Sequence, residues 1–418
     1  MNSSSHSTQL SFLESLIQQS PEQLDLTNEA HAQLVDEMVD RLLAEGLSLP
    51  EIEALESQLI AESGRKHIFL LLAMKVAKSY LLAKGVDAPL SISVVFAVYK
   101  EHNRIRPNSE HPHGENFLVK KVQQLDRLFA ANPHVKWEIV VVDDGCPEGS
   151  GKIAQEIIAQ QGFEDRARVL FLADAIEQQL PPANTLASTK DSMKGGSIVY
   201  GMWDAVQQGQ GDNQVVIFTD ADLSTHLGQV MLLAEPLRKG EKQVAIGSRR
   251  EPHSVVIKKG SRNNRGKLFI YLWKRLIPNL GEIIDTQCGF KAFRADLLSH
   301  LIEDMIEKKF AFDIELLVKA ELKQPQSVVK IPIAWIDSEA ASTTTDLQPY
   351  LPMLQSIVKM SRKYFPEKQD ASEFADMIEG WEEANFQAVL ENIPAGIVSR
   401  EPIEFIEFNG VSAAEIAG

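Results

Sequence analysis

The sequence contains few cysteines and no long apolar run. Cys146 and Cys288 are its only cysteines and lie far apart, so no disulfide framework is indicated and a reducing cytosol is expected. The most apolar stretch, residues 67–82, is interrupted by Lys75 and Lys78 and is too short to span a bilayer, so it predicts a packed helix. The N-terminus lacks the basic and apolar regions of a signal peptide. We therefore expect a soluble, cytoplasmic protein with at most peripheral membrane contact.

The chain also lacks an overall positive charge. Its formal net charge of -16 at pH 7 argues against nucleic acid and anionic membranes as general partners. The exception is a basic island, residues 247–275, where nine basic residues stand against one acid. Such an island suits a phosphate-bearing ligand, and a solvated loop and helix face explains it equally well.

Both ends of the chain have helical patterns. Within residues 1–88, Ser48 and Glu51 have the spacing of a capping box, and Thr27 is predicted to cap the preceding helix. Residues 341–418 are helical again and acidic, because twelve acids stand against two bases after position 366. These regions predict helical N-terminal and C-terminal extensions, and neither contains a recognisable catalytic motif.

Between them, residues 89–340 alternate apolar runs of strand length with helical stretches. This alternation is typical of an α/β domain in which a mostly parallel sheet has helices on both faces. In such sheets, ligands bind beyond the carboxyl ends of the strands. The predicted strands are 91–99, 137–142, 167–173, 214–219 and 243–246, and the predicted helices are 117–131, 151–161, 195–208 and 226–238.

Two acids follow the fourth predicted strand. Asp220 and Asp222 are two residues apart at a strand end, so both carboxylates can point the same way. Hard oxygen ligands at this spacing can share one Mg²⁺ or Mn²⁺, which would also bind a diphosphate. A bare D-x-D pair also occurs in turns and helix caps, but the position after an apolar strand favours a metal site.

Other polar residues follow the remaining strands. Asp143 and Asp144, before a glycine, can bind a base or ribose, although Asp-Gly alone is an ordinary turn. Tyr99 and Glu101 follow the first strand and could stack on and hydrogen-bond a nucleobase. Lys194 opens a predicted helix, where free N–H groups and a lysine favour phosphate.

In order and spacing, these motifs resemble the family-two glycosyltransferases of the GT-A fold. The likeness is greatest to the dolichyl-phosphate glucosyltransferases and dolichyl-phosphate mannose synthases, and it extends over about residues 91–335. The matching segments are V-Y-K-E at 98–101, V-V-D-D-G at 141–145, D-A-D at 220–222, G-S-R at 247–249, D-T-Q-C-G-F-K at 285–291 and F-D-I-E at 312–315.

The resemblance implies a UDP- or GDP-sugar donor and a divalent cation, Mg or Mn. The cation would be held by Asp220 and Asp222, and Asp222 would be catalytic because it binds the cation. The donor nucleotide would be bound by Tyr99, Glu101, Asp143, Asp144, Lys194 and Asp220. The acceptor or the leaving phosphate would meet Arg249, Gln287 and Lys291, together with Arg262 and Arg265 of the basic island.

The expected reaction is displacement at the anomeric carbon, with inversion. A polyprenyl phosphate or another anionic acceptor is already a nucleophile, whereas a hydroxyl acceptor needs a base. Asp313 or Glu315 is the candidate base, and both fit equally well as an acidic pair at a helix N-terminus. The alternatives are a soluble hydroxyl acceptor or a non-catalytic sugar-nucleotide-binding protein. A nucleotidyltransferase is disfavoured because residues 99–106 lack its G-x-G-x-R loop.

Overall fold

The structure is a computed structural model that describes residues 12–21, 23–64, 66–209, 213–257, 263–337, 349–367 and 369–417. Nine strands lie in these ranges: β1 Leu90–Val98, β2 Val135–Asp143, β3 Ala167–Phe171, β4 Gln214–Thr219, β5 Val244–Ser248, β6 Val255–Ile257, β7 Phe290–Arg294, β8 Val328–Pro332 and β9 Ala334–Ile336.

Seven of these strands form one sheet in the order β3-β2-β1-β4-β7-β5-β8. Strand β7 runs antiparallel to β4 and β5, and the other neighbours in the sheet are parallel. Strands β6 and β9 form a separate parallel pair. The predicted α/β class with a mostly parallel sheet is therefore confirmed, and the parallel order brings the ends of β1, β2 and β4 to one edge.

Helices cover both faces of the sheet and form both extensions. Residues 12–19 are helical and are called α1. The other helices are α2 Glu29–Ala44, α3 Leu49–Ser63, α4 Ile68–Lys84, α5 Phe117–Phe129, α6 Ser150–Gln161, α7 Leu172–Glu177, α8 Gly195–Gln208, α9 Val230–Arg238, α10 Asn263–Leu276, α11 Ala295–Ile302, α12 Phe312–Lys323, α13 Tyr350–Tyr364, α14 Gln369–Glu379, α15 Glu383–Glu391, α16 Ala395–Val398 and α17 Ala413–Ala417.

Helix α4 joins the N-terminal extension to the sheet. Its residues from Phe69 to Ala77 are buried in the same core as β1, which explains why the helix is apolar on nearly every side. The two lysines that interrupt it reach one buried carboxylate: Lys75 and Lys78 pair with Glu56 of α3 at 2.8 and 2.5 Å.

The helix caps agree in part with the predictions. The predicted capping box of α3 is present, with Ser48 N donating to Glu51 Oε2 at 2.8 Å. The prediction that Thr27 caps α2 is wrong. Asn28 is the N-cap, because its Oδ1 accepts from Ala30 N at 2.9 Å.

The C-terminal helices pack on α10. Tyr271 of α10 donates its hydroxyl to Val411 O at 2.6 Å and stacks edge-on against Phe405. The apolar residues of α10 from Leu268 to Trp273 are buried in a second core shared with the C-terminal extension. Within the ranges described, no helix combines the length and the apolar character that crossing a bilayer requires.

Candidate functional site

The loop after β2 is organised by Asp143. Its Oδ1 accepts from Gly145 N and Cys146 N, both at 2.9 Å, and its Oδ2 accepts from Gly151 N at 2.7 Å. Gly145 has φ +73°, a conformation that side chains rarely adopt. Because both its oxygens bind backbone N–H groups, Asp143 shapes the loop, and this is the local reason for an Asp-Asp-Gly sequence here.

Asp144 holds the start of α8. It accepts from Lys194 N at 2.7 Å and from Ser197 Oγ at 2.6 Å. Burial raises the pKa of Asp144, although hydrogen bonds from Ser192, Ser197 and Lys194 N act to lower it. Lys194 has φ 88°, so Asp144 fixes a turn that orients the lysine side chain.

The two predicted metal ligands lie beside β4. Asp220 forms an ion pair with Lys194, and Asp222 Oδ1 accepts from Ser224 N at 3.0 Å. Each aspartate side chain is 28% exposed. Burial acts to raise the pKa of Asp220, but the Lys194 ammonium outweighs it and the pKa is lowered. Both carboxylates are therefore accessible, and the ammonium of Lys194 favours the charged form of Asp220.

The segment after β1 contributes an arginine that the sequence reasoning did not identify. Arg104 Nε donates to Glu115 at 2.9 Å, and Arg104 Nη1 donates to Glu101 at 3.2 Å. Arg104 Nη2 also lies 3.5 Å from Asp222 Oδ2. The buried guanidinium thus connects the segment after β1 with the pair after β4. In the sequence, only its position three residues after Glu101 could have indicated Arg104 as part of the site.

Glu101 and Tyr99 differ in exposure. Glu101 is buried, and its N–H donates to Ser150 Oγ at 3.0 Å. Burial raises the pKa of Glu101 to about 7, against the lowering effect of Arg104. The ring of Tyr99 is 47% exposed. It is therefore available for stacking, as predicted.

A second group lies around Asp313 at the start of α12. Gln287 Nε2 donates to Asp313 Oδ1 at 3.0 Å, and Lys291 Nζ donates to Asp313 Oδ2 at 2.9 Å. Asp220 N donates to Gly289 O of the same region at 3.2 Å. The structure therefore brings Asp313, Gln287 and Lys291 next to the metal-ligand candidates.

Arg249 is fixed by another acid. Its Nη2 and Nε donate to the two oxygens of Asp285 at 2.7 and 2.9 Å, and its guanidinium lies 5.3 Å from the centre of the Trp335 ring. Burial acts to raise the pKa of Asp285, but Arg249 lowers it to about 2. Arg249 is thus held rigidly and keeps a remaining N–H edge for a ligand.

Glu315 does not fit the expected role of a base. Its oxygens accept from Ile306 N at 2.9 Å, Glu307 N at 2.8 Å and the Tyr364 hydroxyl at 2.6 Å. The side chain is fully buried among these donors. Residues two apart on a helix point about 200° from each other, so Asp313 and Glu315 cannot face the same cleft. Asp313 is the remaining candidate.

Part of the basic island, which was predicted to bind phosphate, instead contacts the C-terminal extension. Lys267 Nζ donates to Val398 O at 3.0 Å, and Arg275 Nη2 donates to Phe405 O at 2.8 Å. Arg265 is half-buried on the first turn of α10. Arg262 lies outside the described residues.

The aspartate pair fits a divalent cation that also binds a ligand. In the described part of the chain, no group of three or more histidine, cysteine, aspartate or glutamate side chains is arranged to hold a metal ion. Asp220 and Asp222 are exposed enough to share one cation, provided that phosphate oxygens and water complete its coordination.

Comparison with known proteins assigns this region to a class. Residues 118–302 match the family described as Glycosyl transferase family 2. This segment is therefore similar to family 2 glycosyltransferases, and the mostly parallel sheet that it helps to form agrees with the predicted GT-A fold. The matched residues include Asp143, Asp144, Lys194, Asp220 and Asp222.

Individual relatives are more distant. Glycosyltransferase AglD of Haloferax volcanii is 26% identical over 253 residues, which are 60% of this chain and 34% of that protein. Dolichyl-phosphate beta-glucosyltransferase ALG5C of Trichomonas vaginalis is 26% identical over 258 residues, which are 60% of this chain and 66% of that protein. The chain thus spans about a third of the first relative and just under two thirds of the second.

Among solved structures, glucosyl-3-phosphoglycerate synthase from Mycobacterium tuberculosis is similar to this chain. It was solved in complex with Mn²⁺, uridine-diphosphate and glucosyl-3-phosphoglycerate. The TM-score is 0.46 at 17% identity, and the match covers 70% of this chain and 85% of that one.

Proposed function

We propose that this protein transfers a sugar from a UDP- or GDP-sugar to a polyprenyl phosphate or another anionic acceptor, with Mg²⁺ or Mn²⁺ and with inversion at the anomeric carbon. The observation that carries the proposal is the pairing of Lys194 with Asp220 beside Asp222, at the edge where β1, β2 and β4 end. A lysine and two partly exposed carboxylates at one strand edge suit a diphosphate with its metal.

The donor would be held by groups from three strand ends. Tyr99 would stack on the base, and the loop that Asp143 shapes would face the nucleoside. Lys194, oriented by Asp144, would leave Asp220 and bind the diphosphate, which is the stronger anion. Asp220 and Asp222 would hold the cation, which supplies positive charge to the departing diphosphate.

The acceptor side would be formed by Arg249, Gln287, Lys291 and Asp313. An acceptor phosphate would bind Arg249 and need no base. A hydroxyl acceptor would need Asp313 to accept its proton, and the two donors on Asp313 would then orient its carboxylate. The relatives named dolichyl-phosphate beta-glucosyltransferases support the phosphate acceptor.

The direct test is transfer with a donor panel. Purified protein is incubated with Mn²⁺ and radiolabelled UDP-glucose or GDP-mannose, with polyprenyl phosphate in detergent or with soluble phosphate monoesters as separate arms. The proposal expects one donor to be consumed in an acceptor-dependent and chelator-sensitive way. Transfer that persists in excess EDTA contradicts the metal, and the absence of donor binding contradicts the donor site.

The chemistry of the acceptor is tested by Asp313→Asn. If the acceptor is a phosphate, the variant should retain most of its kcat. If the acceptor is a hydroxyl, its kcat should fall by about 100-fold or more, because the base is lost. Thr219→Ser, at the buried last position of β4, serves as the control for a mild disturbance of the site.

A further inference from the structure

Lys121 is a buried lysine that the proposed chemistry does not use. It lies on α5 one turn after Phe117, on the face that carries the apolar residues, and it is fully buried. Within the described ranges, its Nζ has no hydrogen-bond partner. The ammonium instead lies 5.7 Å from the centre of the Phe96 ring.

Among the described residues, the other two lysines with 0% exposure, Lys75 and Lys291, each have two polar partners. Lys75 Nζ binds Glu56 at 2.8 Å and Pro332 O at 3.1 Å, and Lys291 binds Asp313 at 2.9 Å and Cys288 O at 2.6 Å. Burying a charge without such partners lowers stability, and a nonpolar side chain at the same place would avoid that loss. Lys121 therefore needs another explanation than packing.

The acids that act on Lys121 are those of the candidate donor site. Burial lowers the pKa of Lys121 to about 8, and the carboxylates of Asp222, Asp220 and Glu115, in that order, act to raise it. At neutral pH the group is therefore mostly protonated. Its charge acts through the low-dielectric interior, where interactions are weakly screened.

The fixed charges of this region nearly cancel without any ligand. Four acids, Glu101, Glu115, Asp220 and Asp222, are combined with three cations, Arg104, Lys121 and Lys194. These groups sum to -1 with Glu101 ionised and to 0 with Glu101 protonated, so a divalent cation on its own makes the region positive by one or two charges. A diphosphate that arrives with the cation restores the balance.

We infer that Lys121 is a fixed counter-charge of the donor site, which opposes entry of a divalent cation on its own and favours the diphosphate of a nucleotide. The inference rests on the proposed function. It makes Lys121 a positioning residue, because the side chain acts through the electrostatic field at Asp220 and Asp222.

The test is Lys121→Met, which keeps the length of the side chain and removes its charge. Calorimetry measures binding of Mn²⁺ alone, and separately binding of UDP and GDP in excess EDTA. We expect Mn²⁺ to bind about tenfold more tightly and the nucleotides about threefold or more weakly, since one charge has opposite effects on the two ligands. The midpoint of thermal unfolding should be unchanged or higher.

Lys120→Met is the matched control. In the parent protein, Lys120 Nζ donates to Thr27 O at 2.8 Å. The variant therefore removes the same unit charge from a lysine that faces the N-terminal extension. Both affinities should stay within about twofold of the parent protein, because the half-buried Lys120 ammonium bonds to carbonyl groups of the N-terminal extension. Lys121→Leu repeats the measurement if the methionine variant does not fold.

Two results overturn the inference. One is unchanged Mn²⁺ and nucleotide affinities in Lys121→Met. The other is a parallel loss of both affinities with a lower unfolding midpoint, which indicates a purely structural lysine. If the parent protein binds neither UDP nor GDP even with Mn²⁺, the proposed function itself fails and the inference falls with it. Binding in the parent without opposite changes in the variant removes only the role of Lys121.

Discussion

The carboxylates at the strand ends differ in how many of their oxygens are already bonded. Both oxygens of Asp143 accept backbone N–H groups, so this residue maintains the loop. Asp222 accepts from Ser224 and is 28% exposed, so it can bind a ligand. The sequence predicted that Asp143 binds the nucleotide of the donor and that Asp222 holds its metal. Their hydrogen-bond partners separate a structural acid from a ligand-binding one.

Asp222→Asn should weaken Mn²⁺-dependent binding of a nucleoside diphosphate by about tenfold or more, because one anionic metal ligand is lost. The midpoint of thermal unfolding should change little, since the side chain is partly exposed. Asp143→Asn should show the reverse pattern, with a lower midpoint, because an amide cannot accept all three backbone bonds equally well. Equal nucleotide affinity in Asp222→Asn and the parent protein would contradict the metal site.

Asp144→Asn should weaken nucleotide binding through Lys194, because it replaces the acceptor that fixes the backbone of this lysine. Ser197→Ala removes one side-chain bond to Asp144 and leaves the bond from Lys194 N intact. Its effect on affinity should therefore be smaller by about fivefold or more. Calorimetry with UDP and GDP distinguishes the two, and equal losses in both variants speak against a specific role for the Lys194 turn.

Glu101→Gln should change the pH dependence of stability. The folded protein keeps the proton of Glu101 up to about pH 7, while the unfolded chain releases it near 4.5. Between these values the native state binds more protons, so the parent protein loses stability as pH rises. The variant should gain relative to the parent by at most about 1.4 kcal/mol per pH unit there. A difference that is independent of pH in urea unfolding would show that Glu101 is ionised throughout.

At the scale of elements, α3 and α4 are joined by one buried cluster of charges. Glu56 lies between Lys75 and Lys78, at 2.8 and 2.5 Å. Burial acts to raise the pKa of Glu56, but the two lysines outweigh it and lower it. The stabilisation is therefore present above the ordinary carboxyl pKa and is lost as pH falls through the lower, folded value.

Glu56→Gln should lower the free energy of unfolding by about 3 kcal/mol or more at pH 7, because it leaves two buried ammonium groups without an anion. Asp126→Asn breaks the exposed pair with Arg166, whose side chains are 39% and 42% exposed, and should change stability by less than about 1 kcal/mol. Similar losses in the two variants, measured by urea unfolding, would argue against the special weight of the buried cluster.

The elements of the sheet could be predicted where the strands are continuously apolar. Strands β1, β2 and β4 are of this kind, and their predicted bounds differ from the observed ones by at most two residues. Strand β7 was not predicted because it contains Lys291 and Arg294. Lys291 is tolerated there because it binds Cys288 O and pairs with Asp313, which is distant in sequence.

The candidate site, like the sheet, could be predicted only in part from the sequence. The rule that ligands bind at the carboxyl ends of parallel strands grouped Asp144, Asp220 and Asp222 correctly in space. It could not supply Arg104 or Lys121, because their partners come from other segments of the chain. Periodicity also could not tell which of Asp313 and Glu315 faces the site, because their partners come from other segments of the chain.

At the scale of the whole molecule, the acidic C-terminal extension lies on the basic helix α10. Lys267 and Arg275 bind its carbonyl groups, so part of the basic island stabilises the fold. Arg249 is a cation of the island that does not serve this contact, because its partner Asp285 holds it in place.

Anomalous diffraction from a crystal with Mn²⁺ and a nucleoside diphosphate would show directly where the donor and its metal bind. We expect a single manganese peak between Asp220 and Asp222, with the diphosphate bound to the manganese and the Lys194 ammonium moved from Asp220 to a phosphate oxygen. A manganese peak elsewhere, or a nucleotide bound away from the ends of β1, β2 and β4, would contradict it.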